Sequence, residues 1–288
     1  MFTGSIVALV TPFRNGGINY ETLELLFEHH KKGGTDAILL SGTTGEAPTL
    51  SFDEKLELFS FGKKKTDIPI IAGTGNYNTA ETIELTKKAE EIGVDGALVI
   101  TPYYNKPTQK GLYAHFKTVA ESVKIPIIIY NVPGRTGVSI SFETVAELSG
   151  IPNIVGIKEA SGSLKQCFAI KRKASRDFII LSGDDALTIP IMSCGGRGVI
   201  SVTANIVPGL VKQMVDAYKN GESDKAMGLH YKLLPLTETM FIETNPIPVK
   251  TGLKLMGYDV GPFRLPLIEP SENSLKKIES ELKEIGVL

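Results

Sequence analysis

The chain has 288 residues, enough for one large α/β domain or two ordinary ones, and 42% of them are hydrophobic, which suffices for a buried core. Its 31 Lys and Arg residues against 32 Asp and Glu residues leave a net charge of −1. That balance excludes the strongly basic surface that nucleic acid or an anionic membrane attracts. We therefore expect small molecules as partners, and neither nucleic acid nor a membrane.

The cysteines and the N-terminus bear on the cellular compartment. Cys167 and Cys194 both lie in apolar contexts, and two cysteines form neither a disulfide framework nor a metal set, so we expect small buried side chains. Residues 1–6 show no basic segment followed by an apolar stretch, and no apolar run approaches about 18 residues. These features predict a cytoplasmic protein.

Short β-branched apolar runs alternate along the chain with longer stretches of helical periodicity. The predicted strands are 5–10, 37–41, 69–74, 96–101, 126–131, 154–158, 178–182 and 198–202. The predicted helices between them are 20–32, 51–66, 79–92, 109–123, 141–148 and 163–173. Because near-continuous apolar strands are typical of a parallel sheet covered on both faces, the pattern predicts an α/β fold, a (β/α)₈ TIM barrel.

After residue 202 the pattern changes to helix upon helix. Helical periodicity covers 208–219, 223–234, 248–256 and 271–285, with no strand between them. We therefore predict a catalytic barrel over 1–205 and a C-terminal helical region over 206–288. This extension could cap the barrel or supply an oligomer contact, and composition does not decide which.

Lys158 ends the apolar run 154–158, where charge is unexpected. A poorly solvated ammonium has a lowered pKa, so a neutral amine becomes available near pH 7, which is what Schiff-base chemistry on a carbonyl requires. Glu159 should face the opposite side of the strand. Lys158 could instead extend its head into water, and the strand alone does not decide between the two.

In a barrel of this type, chemistry is expected at the carboxyl ends of the strands. Polar residues cluster there: Thr43 and Thr44 after the second predicted strand, Tyr103 and Tyr104 after the fourth, Tyr130 and Arg135 with the fifth, Lys158 at the sixth and Gly183 after the seventh. Arg135 stands in a glycine-containing loop, which favours recognition of a carboxylate by its planar fork. The threonine turn could be only a turn, and the tyrosines could be half-buried aromatics.

The histidines argue against other chemistries. His29, His30, His115 and His230 do not pair with Cys, Asp or Glu at metal-ligand spacing, and the chain has no Gly-x-Ser-x-Gly elbow. We therefore expect carbonyl chemistry by an amine, without metal or cofactor.

Several motifs occur together in this chain, and their combination is highly specific for one protein family. They are Gly42-Thr43-Thr44-Gly45-Glu46, Tyr103-Tyr104-Asn105, Tyr130-Asn131-Val132-Pro133 through Arg135-Thr136-Gly137, Gly156-Ile157-Lys158-Glu159 and Gly183-Asp184-Asp185. With them the chain resembles the dihydrodipicolinate synthase family, in the superfamily that includes N-acetylneuraminate lyase. The likeness extends from the first residues to 245–250 and 264–266, nearly the whole chain.

The resemblance implies an activity. Lys158 would form a Schiff base with pyruvate, and the product of addition to L-aspartate 4-semialdehyde would be 4-hydroxy-tetrahydrodipicolinate, in lysine and diaminopimelate biosynthesis. The implied catalytic residues are Lys158, Tyr130, Thr43 and Tyr104, the last reaching a neighbouring subunit of a homotetramer that is a dimer of dimers. The implied substrate-binding residues are Thr44, Arg135, Gly183 and Ile200.

Two further expectations depend on single positions. A neuraminate- or ketodeoxygluconate-type aldolase would share the lysine and the tyrosine, but a cation at Arg135 suits a short carboxylated aldehyde better. Lysine-inhibited relatives carry polar residues where this chain has Phe52, Lys55 and Tyr77. We therefore expect weak or absent feedback by lysine.

Overall fold

The structure, a computed structural model that describes residues 2–288, is built on a closed barrel of eight parallel strands. Strands β1 to β8 are Gly4–Ala8, Ala37–Leu40, Ile70–Gly73, Gly96–Ile100, Ile127–Asn131, Ile154–Glu159, Ile179–Ser182 and Gly198–Ser201. Neighbours in the barrel follow chain order, and β8 returns to β1 with Gly198 opposite Gly4. All eight strands overlap the predicted ones, so the predicted (β/α)₈ fold is confirmed.

A helix follows each strand. Helices α1 to α8 are Tyr20–Gly33, Phe52–Lys65, Thr79–Ile92, Gln109–Glu121, Phe142–Leu148, Leu164–Lys173, Thr188–Ser193 and Pro208–Lys219. Their starts reflect local chemistry: at α2 the Ser51 hydroxyl accepts the N–H of Glu54, whose carboxylate accepts the N–H of Ser51. Six residues are too few to show helical periodicity, which explains why the sequence did not reveal α7.

Alternation along the strands separates two apolar layers. In β1, Ile6 and Ala8 belong to the cluster inside the barrel, whereas Val7 belongs to the layer under the helices. In β6, Ile157 lies in the outer layer, so the next residue, Lys158, is directed to the barrel interior. Glu159 faces outwards again and accepts hydrogen bonds from Asn131, as its position in the strand predicts.

Three more helices, α9 to α11, are Ser223–Thr239, Ile247–Leu255 and Glu272–Ile285. Their buried side chains share one apolar cluster with the barrel. Helix α9 contacts the single turn Asp185–Leu187 after β7, and α10 contacts the single turn Thr203–Asn205 after β8. The division between 205 and 206 stays a prediction. Helix α8 lies beyond it in the sequence but packs on α1 and β1, as the eighth helix of the ring.

Two local expectations needed correction. The predicted end of α9 at residue 234 was wrong, since the helix continues through Pro235 to Thr239. Burial of Leu233, Leu236 and Thr237 on the barrel outweighs the cost of about 3 kcal/mol for an internal proline. A two-stranded hairpin, Phe13–Arg14 with Gly17–Ile18, was also not predicted, because two-residue strands carry no readable alternation.

Candidate active site

The register of β5 and β6 brings Tyr130 directly beside Lys158. Both side chains are directed into the barrel, and the Lys158 Nζ lies 4.3 Å from the centroid of the Tyr130 ring. The aromatic face attracts the charged amine, but it offers no hydrogen-bond acceptor along that direction. The amine is therefore oriented while remaining available for reaction.

Burial dominates the titration of Lys158. Its side chain is only 5% exposed, and this desolvation lowers its pKa to about 8. The Asp185 carboxylate opposes that shift, and the Arg135 guanidinium adds to it. At pH 7 roughly one amine in ten is then neutral, compared with about one in several thousand for an ordinary lysine.

Tyr130 has the complementary property. Burial raises the pKa of its phenol, while Arg135 and the Thr43 hydroxyl act in the opposite direction to a smaller extent. The phenol therefore stays protonated near neutral pH. A proton donor and a nucleophilic amine thus lie side by side at the carboxyl end of the barrel.

A cavity of about 420 Å³ opens over these groups. It is lined by Thr43, Tyr130 and Lys158 and by Ser41, Asn76, Tyr77, Tyr103 and Lys55, among others. Its volume suits a small carbonyl acid. A larger cavity of about 600 Å³ lies at the amino ends of β7 and β8, around Arg176 and Arg197, but none of the predicted site residues line it. Because barrel enzymes react at the carboxyl ends, the smaller cavity is the candidate site.

Gly183 and Ile200 complete the surroundings in different ways. A Cβ atom at Gly183 would lie 3.0 Å from the Cγ and Cε atoms of Lys158, so glycine leaves the lysine its room. Ile200 is fully buried in the cluster inside the barrel and does not line the cavity.

Asn245, for which the sequence predicts no role, connects Thr44 to Arg135. The Asn245 amide donates to the Thr44 hydroxyl at 3.0 Å, and Arg135 donates to the Asn245 carbonyl at 3.2 Å. Neither Thr44 nor Arg135 lines the cavity itself. Only the resemblance over 245–250 pointed to this segment, since a lone Asn in a loop carries no signal of its own.

Tyr104 is not brought to the cavity of its own chain. Its side chain is 92% exposed, and its φ of 68° places the backbone in the left-handed region, unusual for a tyrosine. The loop thus presents this aromatic ring outwards.

Lys55 and Tyr77 line the cavity, whereas Phe52 does not. Burial lowers the pKa of Lys55, and Glu81 partly opposes this. Over residues 2–288, no three His, Cys, Asp or Glu side chains are grouped so as to hold a metal ion. No helix in that part of the chain is long and apolar enough to span a membrane.

Together, the fold and the buried amine define a barrel protein equipped for Schiff-base chemistry. Residues 1–285 match the model of the dihydrodipicolinate synthetase family. This chain belongs to that family.

Individual relatives cover the whole chain. A protein of Thermoanaerobacter sp. (strain X514) named 4-hydroxy-tetrahydrodipicolinate synthase is 52% identical, with 100% of this chain and 98% of the relative covered. The crystal structure of dihydrodipicolinate synthase from Aquifex aeolicus superposes with a TM-score of 0.98 at 49% identity and 99% coverage of both chains. The chloride-inhibited enzyme from Acinetobacter baumannii, complexed with pyruvate, gives a TM-score of 0.97 at 44% identity and 100% coverage of both.

The carboxylate of Asp185 should hold the pKa of Lys158 up. Asp185 is buried and accepts hydrogen bonds from the Ser201 hydroxyl and, at 2.8 Å, from the Val202 N–H. In Asp185→Asn the charge is lost and the shape kept, so the pKa of Lys158 should fall below about 8. An NMR titration of ¹³C-labelled lysine measures this directly. Asp184→Asn is the control and should leave the Lys158 titration in place; an unchanged or higher Lys158 pKa in Asp185→Asn would contradict the assignment.

Proposed function

We propose that this chain is a lyase that condenses pyruvate with L-aspartate 4-semialdehyde to form 4-hydroxy-tetrahydrodipicolinate, a step of lysine and diaminopimelate biosynthesis in the cytoplasm. One observation carries the proposal: the buried amine of Lys158, with its pKa lowered to about 8, stands at the carboxyl end of the barrel. Family membership supports this reaction, because relatives that match this chain over 98% and 99% of their length are named 4-hydroxy-tetrahydrodipicolinate synthase.

The first half of the reaction uses the amine. Neutral Lys158 adds to the ketone carbon of pyruvate, and loss of water gives a protonated imine. The positive nitrogen acidifies the adjacent methyl group, which loses a proton to form an enamine. The relative from Acinetobacter baumannii, solved with pyruvate, supports pyruvate as the first substrate.

The second half forms the carbon–carbon bond. The enamine carbon attacks the aldehyde of aspartate semialdehyde, and the resulting alkoxide takes up a proton to become a hydroxyl. The amino group of the substrate then attacks the imine carbon, closes the ring and displaces the amine of Lys158. The enzyme is regenerated without an external cofactor.

Protonated Tyr130 is the proton carrier in this scheme. Its ring lies over the Lys158 amine, and Thr43 lines the same cavity, so the two hydroxyls can form a short relay. We assign the third member to the partner subunit's Tyr104. The exposure of this residue on its own chain supports a role in a neighbouring site, which requires at least a dimer, and family resemblance is the ground for proposing a homotetramer built as a dimer of dimers.

The substrate carboxylates need partners of their own. We assign the carboxylate of pyruvate to Thr44, through backbone N–H groups of the turn 42–46 because Asn245 binds the Thr44 hydroxyl. We assign the carboxylate of aspartate semialdehyde to Arg135, a cation on the single helical turn Pro133–Thr136 after β5. Gly183 and Ile200 shape the space around the imine, Gly183 by leaving room beside Lys158.

Trapping should locate the nucleophile. Incubation with pyruvate followed by borohydride should leave one reduced adduct, on Lys158, because its amine lines the cavity beside the Tyr130 proton donor, has a pKa of about 8 and is not held in an ion pair within residues 2–288. Peptide mass spectrometry reads the position, and Lys158→Ala should lose both adduct and turnover. Lys250 is an internal control, since it is equally buried but paired with Glu46. An adduct on another lysine, or none, would refute the mechanism.

Substitution of Arg135 should weaken binding of aspartate semialdehyde, the second substrate, and leave the reaction with pyruvate intact. In Arg135→Gln the KM for aspartate semialdehyde should rise roughly ten- to hundredfold, as expected for the loss of a charge-assisted hydrogen bond. Formation of the pyruvate adduct should continue. Initial rates with aspartate semialdehyde and with uncharged sugar aldehydes provide the measurement. Efficient turnover of the sugar aldehydes by the unmodified enzyme would instead point to an aldolase.

Lysine should inhibit weakly or not at all. In lysine-inhibited relatives the position of Lys55 belongs to a lysine site at a subunit interface, and an added ammonium there opposes a cationic ligand. Initial rates over increasing lysine concentration test this, and Lys55→His should increase any inhibition that is seen. Inhibition of the unmodified enzyme at micromolar lysine would contradict the prediction.

A further inference from the structure

We propose that Lys250 and Glu46 are positioning residues that hold the turn 42–46 in the geometry its two threonines need. This inference rests on the proposed function, because it assigns a purpose to the support of Thr43 and Thr44. Neither Lys250 nor Glu46 lines the cavity, so both would act through the turn and not on the substrate.

The pair is fully buried. The Lys250 Nζ donates to the Glu46 Oε1 at 2.7 Å, and the two side chains are 1% and 0% exposed. The same nitrogen donates to the Pro262 carbonyl at 2.9 Å and lies 4.3 Å from the centroid of the Phe13 ring. The second Glu46 oxygen accepts the N–H of Arg264 at 3.1 Å. Both charges are thus fully partnered, as a buried pair requires.

The backbone around the threonines is strained at both ends. Ser41 and Glu46 each have a φ of 55°, in the left-handed region that side chains rarely adopt. Such conformations persist only where surrounding contacts enforce them, and they are common next to functional groups. For Glu46 the enforcing contacts are the ones that Lys250 and Arg264 make with its carboxylate.

The turn itself is short and closely tied to Glu46. The N–H of Glu46 donates to the carbonyl of Thr43 at 3.1 Å, so a change in the Glu46 backbone would be transmitted to the residue that lines the cavity. The Thr11 hydroxyl donates to the Gly45 carbonyl at 2.7 Å and supports the turn from the barrel side. A displacement of about 1 Å at a substrate-positioning group is enough to slow an enzyme roughly a hundredfold.

The C-terminal segment therefore holds the turn at two points. Asn245 donates a hydrogen bond to Thr44, and Lys250 binds Glu46, which lies two residues after Thr44 in the turn. Arg264 adds an ion pair with Glu54 on α2, which anchors the same segment to the helix that follows the turn. The pair between Lys250 and Glu46 is the only one of these contacts, within residues 2–288, in which both charges are completely buried.

The double variant Glu46→Gln/Lys250→Met tests the role of the pair. It removes both charges at nearly constant volume, so no unpaired buried charge is left and the barrel should still fold. We expect normal circular dichroism and a pyruvate adduct that still forms on Lys158. The KM for pyruvate should nevertheless rise roughly ten- to hundredfold because Thr44 is displaced, and kcat should fall as well because Thr43 moves with the same turn.

The control breaks an ion pair at the opposite end of the same strand. Lys212 binds Asp36 at 3.0 Å, just before β2 begins, whereas Glu46 follows its end. Lys212→Met removes this ion pair and should lower the denaturation midpoint, but it should leave the KM for pyruvate unchanged. A KM within twofold of the unmodified enzyme in the double variant, or an equal rise in Lys212→Met, would overturn the proposal.

A milder variant covers the case in which the double variant does not fold. Glu46→Asp keeps the charge, so Lys250 is not left as an unpaired buried cation, but it shortens the reach of the carboxylate. A positioning role predicts a raised KM for pyruvate in Glu46→Asp, and an unchanged KM in the folded Glu46→Asp variant contradicts it. Absence of any pyruvate adduct in the unmodified enzyme would refute the proposed function instead.

Discussion

The site depends on the desolvation of one amine at the point where β5 and β6 end in register. Parallel pairing sets Tyr130 beside Lys158, and the closed barrel excludes water from both. Burial alone would lower the pKa of Lys158 further than about 8, and the Asp185 carboxylate limits that fall. The same desolvation keeps the phenol of Tyr130 protonated. A nucleophile and a proton donor therefore result from one cause, the exclusion of water from the end of the barrel.

Two buried lysines in this chain illustrate how surroundings decide a role. Burial lowers the pKa of Lys250, but the Glu46 carboxylate in direct contact with it opposes that shift by favouring the charged form, which fits a structural cation. Lys158 faces an aromatic ring and has a carboxylate nearby but not bonded to it, so its neutral form is accessible. Burial is common to both residues, and the hydrogen-bonded counter-ion is what separates the paired lysine from the reactive one.

The C-terminal helices belong to the architecture of the site. Asn245 lies between Thr44 and Arg135, and Lys250 and Arg264 contact the turn that carries the threonines. Chemistry at the carboxyl ends of barrel strands depends on loops, which need external support to be precise. Here the segment that follows the eighth barrel helix provides that support, while the exposed Tyr104 ring lies outside the cavity of its own chain.

The sequence by itself determined the eight strands, because apolar periodicity and chain order are local properties that a parallel barrel simply repeats. It also predicted that Lys158, Tyr130 and Thr43 meet at the carboxyl end of the barrel, since strand ends of a barrel meet at one face, and all three line one cavity. Only the tertiary structure decided the end of α9, the bridge at Asn245 and the pairing of Lys250 with Glu46. Asn245 and Lys250 reach Thr44 and Glu46 across about 200 residues of chain, and the end of α9 depends on its packing against the barrel, so no local pattern encodes them.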